Sequence, residues 1–287
     1  MADNKLLATN EIKIVGRLIS ADVKKGFDKS NRSYASVNAT IQSEIGGKTN
    51  VFEVNFYSQE MTKDNKVSQL YTNYVKLPEL IGKKVEVSGS LRENRYWSTS
   101  LGQIVSSQQL TGRFVKGIVE TTADEATYKL GGFVVKTMVE KKNKAGEVYR
   151  YDLALGQSNY SGTSMNMYTL HVDPTQTEIV RGVQNYEAGM TVVLNGNLMF
   201  TQEQVTVTDE NSGFGQPMVK TYTNSQKNFY ITGGSNPITD ETRYPQEQIM
   251  ALVEAYKAND ATLMGSAPQD APVTQAAPVT KRQTSLI

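Results

Sequence analysis

The stretch that decides the fold is GKKVEVSGSLRENRYW, residues 82–97, because its first half recurs as GMTVVLNGNL at residues 189–198. Apolar and polar residues alternate in both copies, which predicts a β-strand with one buried face. Each copy has a glycine at the same point, Gly89 and Gly196, and a glycine inside a strand is typical of a sharp bend in a barrel. The aromatic and basic ending, Arg92 to Trp97, is present only in the first copy. We therefore expect a repeated scaffold and a functional surface that is not repeated.

Three further segments of the first half of the chain recur in the second half. We align all three at an offset of 116 positions, and the stretch around Gly89 at an offset of 107. A duplication that keeps its strands while one connection changes length predicts two related domains. The pairs are VGRL (15–18) with GGFV (131–134), YASVNATI (34–41) with RYDLALGQ (150–157), and FEVNF (52–56) with YTLHV (168–172).

Each copy has the same order of elements: three alternating strands, a helix, and two more strands. The helix is predicted from Ser58 to about Tyr74 in the first copy and over residues 174–186 in the second. This order is that of the OB-fold, a five-stranded barrel. The predicted fold is all-β with short helices, namely two tandem OB-fold barrels, a C-terminal amphipathic helix and a disordered tail.

The end of the chain departs from the repeat. Ile249, Leu252, Val253 and Tyr256 recur at helical spacing, which predicts an amphipathic helix that packs on the rest of the protein. The last residues are rich in Ala, Pro, Thr and Gln and repeat APVT, a composition that predicts disorder. The predicted division is a first barrel at 1–118, a second barrel at 119–238, a helix at 239–260 and a tail at 261–287.

Composition excludes several kinds of site. The 287 residues include no cysteine, and the only histidine, His171, lies between inward-facing strand residues and is expected on the surface. No phosphate-binding loop, metal-ligand cluster or convergent catalytic set is present, so we expect a non-enzymatic protein without metal or cofactor. Residues 1–18 lack the apolar run that is typical of a signal peptide, and no apolar run is long enough for a membrane span, so we expect a cytoplasmic protein with no membrane partner.

Charge and aromatic residues favour an anionic partner for the first barrel. The formal net charge is +1 overall, but it is +5 over residues 1–120 and −3 over residues 121–240. Exposed cations neutralise phosphates and exposed aromatic rings stack on bases, which is how proteins bind single-stranded nucleic acid. The first-barrel candidates are Arg17, Lys24, Lys25, Arg32, Tyr34, Tyr57, Arg92, Arg95, Tyr96 and Trp97.

The second barrel keeps the scaffold and loses part of this pattern. Seven residues after Gly89 stands Tyr96, whereas seven residues after Gly196 stands Glu203. The sequence leaves open whether this barrel binds nucleic acid or mainly packs and dimerises. Its candidate binding residues are Lys136, Lys142, Lys144, Arg150 and Phe200.

Over about residues 12–115 the chain resembles bacterial-type single-stranded DNA-binding proteins. The resemblance is carried by VGRL (15–18), ASVNAT (35–40), FYS (56–58) and the spacing G-x-x-V-x-V-x-G-x-L from Gly82 to Leu91. It implies an OB-fold and sequence-nonspecific binding of single-stranded DNA in replication, recombination or repair. It also implies base stacking on Tyr57 and Tyr96 and backbone contacts from Arg17, Arg92 and Arg95.

Two departures from that family matter. It has one such domain per chain, and its tail ends in an acidic peptide tipped with phenylalanine, whereas this chain has two domains and ends KRQTSLI (281–287). A tandem arrangement with such a tail resembles phage-encoded members, which act in the host cytoplasm. Contact with replication or recombination proteins through the tail is one expectation, and an inert tail is another. Single-stranded RNA binding, an assembly role without nucleic acid, and the oligomeric state stay open.

Overall fold

A computed structural model describes residues 9–209 and 218–265 of the chain. The first half forms five strands, and a short helix and a 3₁₀ turn lie between the third and the fourth. These elements are β1 (Asn10–Phe27), β2 (Ser33–Ile45), β3 (Lys48–Gln59), α1 (Gln69–Val75), the 3₁₀ turn (Leu77–Leu80), β4 (Lys84–Ser98) and β5 (Gln103–Gly117). The second half repeats the order with β6 (Glu125–Lys142), β7 (Val148–Ser158), β8 (Met165–Val172), α2 (Thr177–Gln184), β9 (Thr191–Asp209) and β10 (Met218–Gly234), and α3 (Gln246–Gly265) follows.

Each half closes into a barrel. In the first barrel β1 pairs with β2 and β4, β2 pairs with β3, and β5 closes the ring between β4 and β3. All pairs are antiparallel except β3 with β5, which meet in parallel at Val54 and Leu110. The second barrel closes in the same way, with β8 and β10 as its parallel pair. The predicted fold class, two tandem OB-fold barrels with short helices and a C-terminal helix, is confirmed. Of the predicted tail, residues 266–287 lie outside the described part of the chain.

The first helix is shorter than predicted. The sequence pattern suggested a helix from Ser58, but β3 continues to Gln59 and an isolated bridge joins Met61 to Val67. The helix begins only after Ser68, whose side chain accepts a hydrogen bond from the backbone N–H of Tyr71. It closes the end of the barrel with Tyr74, whose ring packs 5.1 Å from that of Phe56.

The offset between the two copies also differs from the predicted constant. In the first barrel Ser43 Oγ donates to Val15 O at 2.7 Å, and in the second Gln157 Nε2 donates to Gly131 O at 2.8 Å. These contacts relate β1 to β6 by 116 positions and β2 to β7 by 114. The shift of two residues keeps every side chain on its predicted face, which is why alternation alone did not reveal it. Register irregularities between β6 and β7 absorb the difference.

The two barrels are joined by an antiparallel pairing of β1 with β6. Six residues of each strand take part, and Ile12 lies opposite Tyr128, its own equivalent in the repeat. The arrangement is therefore a pseudo-twofold one, in which the same surface is used by both barrels. Contacts away from the axis follow the same relation. Gln108 Nε2 donates to Thr169 O at 3.0 Å. The residues equivalent to these two are Lys227 and Glu53, and Lys227 Nζ lies 3.4 Å from a carboxylate oxygen of Glu53.

Among the described residues, one polar network at this junction has no counterpart on the other side of the axis. The side chain of Asn10 accepts from Leu91 N–H at 2.8 Å, and its Nδ2 lies 2.9 Å from Leu91 O. The same nitrogen is 2.8 Å from Gln157 Oε1 and 3.1 Å from the Tyr168 hydroxyl oxygen. Buried polar groups need such partners, so this network specifies how the barrels face one another.

The repeated glycines of β4 and β9 occupy crowded positions. A Cβ built on Gly89 would lie 1.9 Å from Thr111 O, and one on Gly196 would lie 1.9 Å from Tyr230 O. Both glycines flank register shifts in the pairing with the next strand. A side chain at either position would collide with the backbone of the neighbouring strand, so both positions require glycine.

We expect Gly89→Ala to lower the free energy of unfolding by about 3 kcal/mol or more, because the strand must shift to accommodate the methyl group. Gly182→Ala is the matched control, since Gly182 is an exposed position of α2 with open space around it. There alanine is a better helix former and should stabilise the protein by about 0.5–1 kcal/mol. Urea denaturation followed by circular dichroism measures both; equal effects of the two substitutions would contradict the assignment.

Candidate nucleic-acid interface

Two tyrosines form an exposed pair on the outer face of the first barrel. The rings of Tyr34 on β2 and Tyr57 on β3 lie 5.3 Å apart with an interplanar angle of 32°. Tyr57 is 52% exposed, whereas Tyr34 is partly covered and lies over Gly26 of β1, where a Cβ would be 3.1 Å from its hydroxyl oxygen. We call Tyr34 and Tyr57 the tyrosine pair. Tyr34 supports the ring of Tyr57 from below, and Tyr57 presents an aromatic surface to solvent.

Cations lie close to this pair. Lys24 is opposite Ser36, and Ser36 is opposite Tyr57, so the three residues form one row across β1, β2 and β3. Lys25 is exposed on the other face of β1, opposite the buried Ala35. The structure therefore brings Lys24 to the tyrosine pair and leaves Lys25 on the opposite face of β1.

Arg32 belongs to the turn between β1 and β2. Its Nε donates to Asp28 at 2.9 Å, and Asp28 also accepts from the backbone N–H groups of Ser30 and Arg32. These hydrogen bonds, led by that of the Arg32 backbone, hold the pKa of Asp28 below its ordinary value. Arg32 thus has an acidic partner, and its side chain is still 60% exposed beside the pair.

Arg17 lies at the opposite end of β1. It is seven residues from Lys24, about 23 Å along an extended strand. Its guanidinium donates to Gly82 O and to Glu120 at 2.6 Å, in a hollow that also contains Glu44 and Asp124. The structure does not bring Arg17 together with the other candidates.

The β4–β5 hairpin extends beyond the barrel as an arm. Leu91 and Leu110 are opposite each other and are the last pair buried in the barrel core, so we define the arm as residues 92–109. Arg92 and Tyr96 are exposed on its outer face, Tyr96 to 46%. Trp97 follows Tyr96 in the strand and therefore points to the inner face, where it is partly buried. The two neighbouring aromatics thus face opposite sides of the arm.

Arg95 is also on the inner face and is held by the C-terminal helix. Its guanidinium carbon lies 3.9 Å from the ring centre of Tyr256, and its Nη1 donates to Tyr256 O at 3.0 Å. A salt bridge with Asp260 completes the contact, and only 13% of the Arg95 side chain is exposed. The expected DNA-contacting arginine is therefore engaged within the protein, because α3 packs at a place where no local pattern indicates a partner.

A cleft of about 480 Å³ lies between the arm, β3 and the second barrel. Its first-barrel wall carries Asn55, Ser107 and Gln109, and its second-barrel wall carries Thr169, His171 and Lys227. The cleft continues the outer face of the first barrel, since Gln109 is opposite Arg92 in the arm. Amide and hydroxyl groups thus connect the tyrosine pair with the outer face of the arm.

The second-barrel candidates are scattered. Lys136, Lys142 and Lys144 are exposed on β6 and the turn after it, and Lys142 lies 3.1 Å from a Glu140 carboxylate oxygen. Arg150 is largely buried and pairs with Asp152 at 2.8 Å. The sequence shows these as four cations around one hairpin, and the structure exposes three of them.

Phe200 needs correction as a stacking residue. It is 3% exposed, and its ring lies 5.2 Å from both Phe52 of the first barrel and Phe229 of β10. Its position is equivalent to that of Glu93 on the inner face of the arm, which is the face that meets the other barrel. The ring is therefore part of the junction between barrels and presents no face to solvent.

The prediction of a surface position for His171 is wrong. Only 6% of the residue is exposed, because β10 covers it where Tyr230 pairs with it. Its Nδ1 lies 2.9 Å from Asp152. Burial and the nearby Arg150 lower the pKa of His171, although Asp152 acts in the opposite direction. His171, Asp152 and Arg150 occupy the positions equivalent to Asn55, Asn38 and Ser36, so a charged cluster replaces an uncharged face.

Four aromatic residues that are exposed in the described part of the chain were not predicted from the sequence, and one of them is Phe114 of β5, which is 54% exposed. Phe27 is 70% exposed at the tip of β1, three residues after Lys24 and on the same face of the strand as Lys25. Tyr149 and Tyr160 are exposed on the second barrel, Tyr160 fully, in the turn between β7 and β8. The signal for Phe27 was available, since an aromatic residue directly before a polar turn has little to pack against.

Two further findings concern the residues that the structure describes. No three His, Asp or Glu side chains among them are grouped so that they could hold a metal ion. None of the described helices is long and apolar enough to cross a membrane.

The fold and this surface define a tandem OB-fold protein with aromatic and cationic residues exposed on its first barrel. A family model described as YorF matches residues 8–263, and the chain belongs to the YorF family. Wild-type single-stranded DNA binding protein from Thermus aquaticus is similar in structure, with a TM-score of 0.53 and 12% identity over 84% of this chain and 98% of that chain. A deletion mutant of the same protein matches at 0.50 and 13% identity over the same shares. No curated protein sequence matches significantly.

The lowered pKa of His171 predicts a pH dependence of stability. Below its ordinary value of 6.5 the unfolded chain takes up a proton that the folded protein resists, so stability should fall as the pH decreases from about 6.5. His171→Asn, which installs the residue of the equivalent first-barrel position, should remove this contribution. Thermal unfolding from pH 7.5 to 5 measures the difference between the two proteins; parallel curves would contradict the prediction.

Proposed function

We propose that the protein binds single-stranded DNA without sequence preference, mainly through the outer face of its first barrel. The observation that carries the proposal is the tyrosine pair, with Tyr57 exposed beside Lys24 and supported by Tyr34. An exposed ring held in place from below gives a base a surface to stack on at small entropic cost. Stacking of this kind contributes about 1–3 kcal/mol per base and tolerates any base.

The arm supplies the second part of the proposed site. Tyr96 and Arg92 lie on its outer face, and Asn55 and Gln109 line the cleft between them and the tyrosine pair. A flexible strand that stacks on Tyr57 and Tyr96 would pass this polar wall, with its phosphates toward Lys24 and Arg92. The similarity to the Thermus aquaticus protein, whose name states single-stranded DNA binding, supports the proposal through the shared fold.

The proposed biological role is the coating and protection of single-stranded DNA during replication or recombination, in the cytoplasm. The protein would act there as a binding protein and not as an enzyme, because base stacking and phosphate neutralisation require no reactive group. Contact with replication or recombination proteins through the C-terminal residues is part of the same proposal.

Tyr57→Ala and Tyr96→Ala should each weaken binding of a labelled oligo-dT by about 1–3 kcal/mol, because each removes one stacking surface. Tyr160→Ala is the matched control, since it removes a fully exposed tyrosine from a turn of the second barrel. Fluorescence anisotropy at low salt measures the three affinities, with competition by duplex DNA and by single-stranded RNA in the same format.

Failure of the wild-type protein to bind oligo-dT at low salt would refute the proposed function. Tighter binding of RNA than of DNA would replace the proposed ligand by single-stranded RNA. Equal losses in all three variants would show that the tyrosines act only through general surface properties.

The cations should show the same asymmetry between the barrels. Lys24→Gln with Lys25→Gln should weaken binding and reduce the slope of log affinity against log salt by about 0.7 for each phosphate that is no longer neutralised. Lys142→Gln with Lys144→Gln changes the charge equally on the second barrel and should change the slope less. Titrations over a range of salt concentrations compare the pairs; a larger effect of the second pair would move the site to the second barrel.

A further inference from the structure

The C-terminal helix touches both barrels. Its first half packs on the second barrel, where Ile249 and Leu252 are buried in a cluster with Phe133, Met165 and Tyr244. Tyr256 and Asp260 continue the same side of the helix at intervals of four residues, and they reach the arm of the first barrel. The helix therefore links the second barrel to the element that carries Arg92 and Tyr96.

Glu93 is the centre of the contact on the arm. It is a buried carboxylate, and the hydroxyl of Tyr256 donates to its Oε1 at 2.5 Å. Ser106 Oγ of β5 donates to the same oxygen at 2.6 Å, and the backbone N–H of Met167 in β8 donates to Oε2 at 2.8 Å. One carboxylate thus joins both strands of the arm, the second barrel and α3.

The contact between Tyr256 and Glu93 requires that the Tyr256 hydroxyl carries its proton. Burial, together with the neighbouring Glu93, raises the pKa of Tyr256, so its hydroxyl remains a donor. A buried carboxylate is stable only when its hydrogen bonds are satisfied, and Tyr256 supplies one of the three. Arg95 adds its stacking and its salt bridge beside this contact.

The second barrel shows that these residues are particular to the first arm. Positions equivalent to Glu93 and Arg95 in β9 hold Phe200 and Gln202. Phe200 makes an apolar contact with Phe52 of the other barrel. Among the described residues, the charged pair that receives α3 is present only in the first arm, whose outer face carries Tyr96.

We infer that α3 is a positioning element of the proposed nucleic-acid site: through Tyr256 and Asp260 it fixes the arm that presents Arg92 and Tyr96. Tyr256 and Asp260 act on the bound strand only through the arm. The inference rests on the proposed function for its consequence on binding, and on the contacts of Glu93 and Arg95 for its structural part.

The test uses four variants of the full chain: Tyr256→Phe, Asp260→Asn, Glu254→Gln, and Tyr256→Phe combined with Tyr96→Ala. Glu254 is an exposed residue of α3, so Glu254→Gln makes the same charge change as Asp260→Asn without touching the arm. Affinity for a labelled oligo-dT and amide hydrogen exchange of the arm without DNA are measured for each, and thermal unfolding checks that each variant is folded.

Tyr256→Phe should weaken binding about five- to tenfold, which is less than the full effect of a lost hydrogen bond to a buried charge because the helix acts on the bound strand only through the arm. Asp260→Asn should weaken it while Glu254→Gln does not. Both arm-facing variants should speed amide exchange in residues 92–109 and leave exchange in β2 and β3 unchanged. In the Tyr96→Ala background, Tyr256→Phe should weaken binding of oligo-dT only slightly further, because the helix acts on binding through the Tyr96 ring.

Three results would overturn the inference. Unchanged exchange in the arm of both arm-facing variants would show that α3 does not position it. Tighter binding by Asp260→Asn than by Glu254→Gln would show that the helix withholds Arg95 from DNA. Full additivity with Tyr96→Ala would show that the helix does not act on binding through Tyr96. If wild-type protein fails to bind oligo-dT, the proposed function fails, and the exchange data still decide whether the helix holds the arm.

Discussion

The antiparallel pairing of β1 with β6 is the interaction on which the rest of the structure depends. Residues 12–15 of β1 pair with β4 on one edge and with β6 on the other, so a strand of one barrel is also the edge of the next. This pairing places Ile12 opposite its own equivalent and thereby generates the pseudo-twofold relation between the barrels. The contacts of the arm and the cleft follow from that relation, because both lie between the two barrels.

Equivalent positions in the two barrels carry different chemistry, and the differences concentrate on the surfaces that the pairing creates. On the inner face of the arm, Glu93 is replaced by Phe200, so one side of the junction is polar and the other is apolar. On the outer face, Tyr57 is replaced by Asp173, and the uncharged Asn55 by a buried His171. The scaffold has stayed the same because the core positions and the bending glycines tolerate little change. The exposed face has changed freely because packing does not constrain it.

The barrels could be predicted from sequence because alternation and the repeated glycines are local signals. The second strand was placed two residues out of register because a shift by two preserves alternation, and only hydrogen bonds such as those of Ser43 and Gln157 distinguish the alternatives. Tyr34, Tyr57 and Tyr96 were predicted on outer faces, and that is where they lie. Arg95, Phe200 and His171 were misplaced for one reason. Each is covered by an element far away in the chain, and no local pattern records such a partner.

The connection of the two barrels within one chain has a consequence for how they diverge. When two identical subunits form a pair, every substitution appears on both sides of the axis, so a change that benefits one face is imposed on the other. In this chain the two barrels have separate sequences, so a substitution changes only one of them. Asn10 can support the junction from one side only, and a single helix can brace a single arm, without any cost on the opposite side. The two barrels keep the relative arrangement of a symmetric dimer, while the residues at equivalent positions are free to differ.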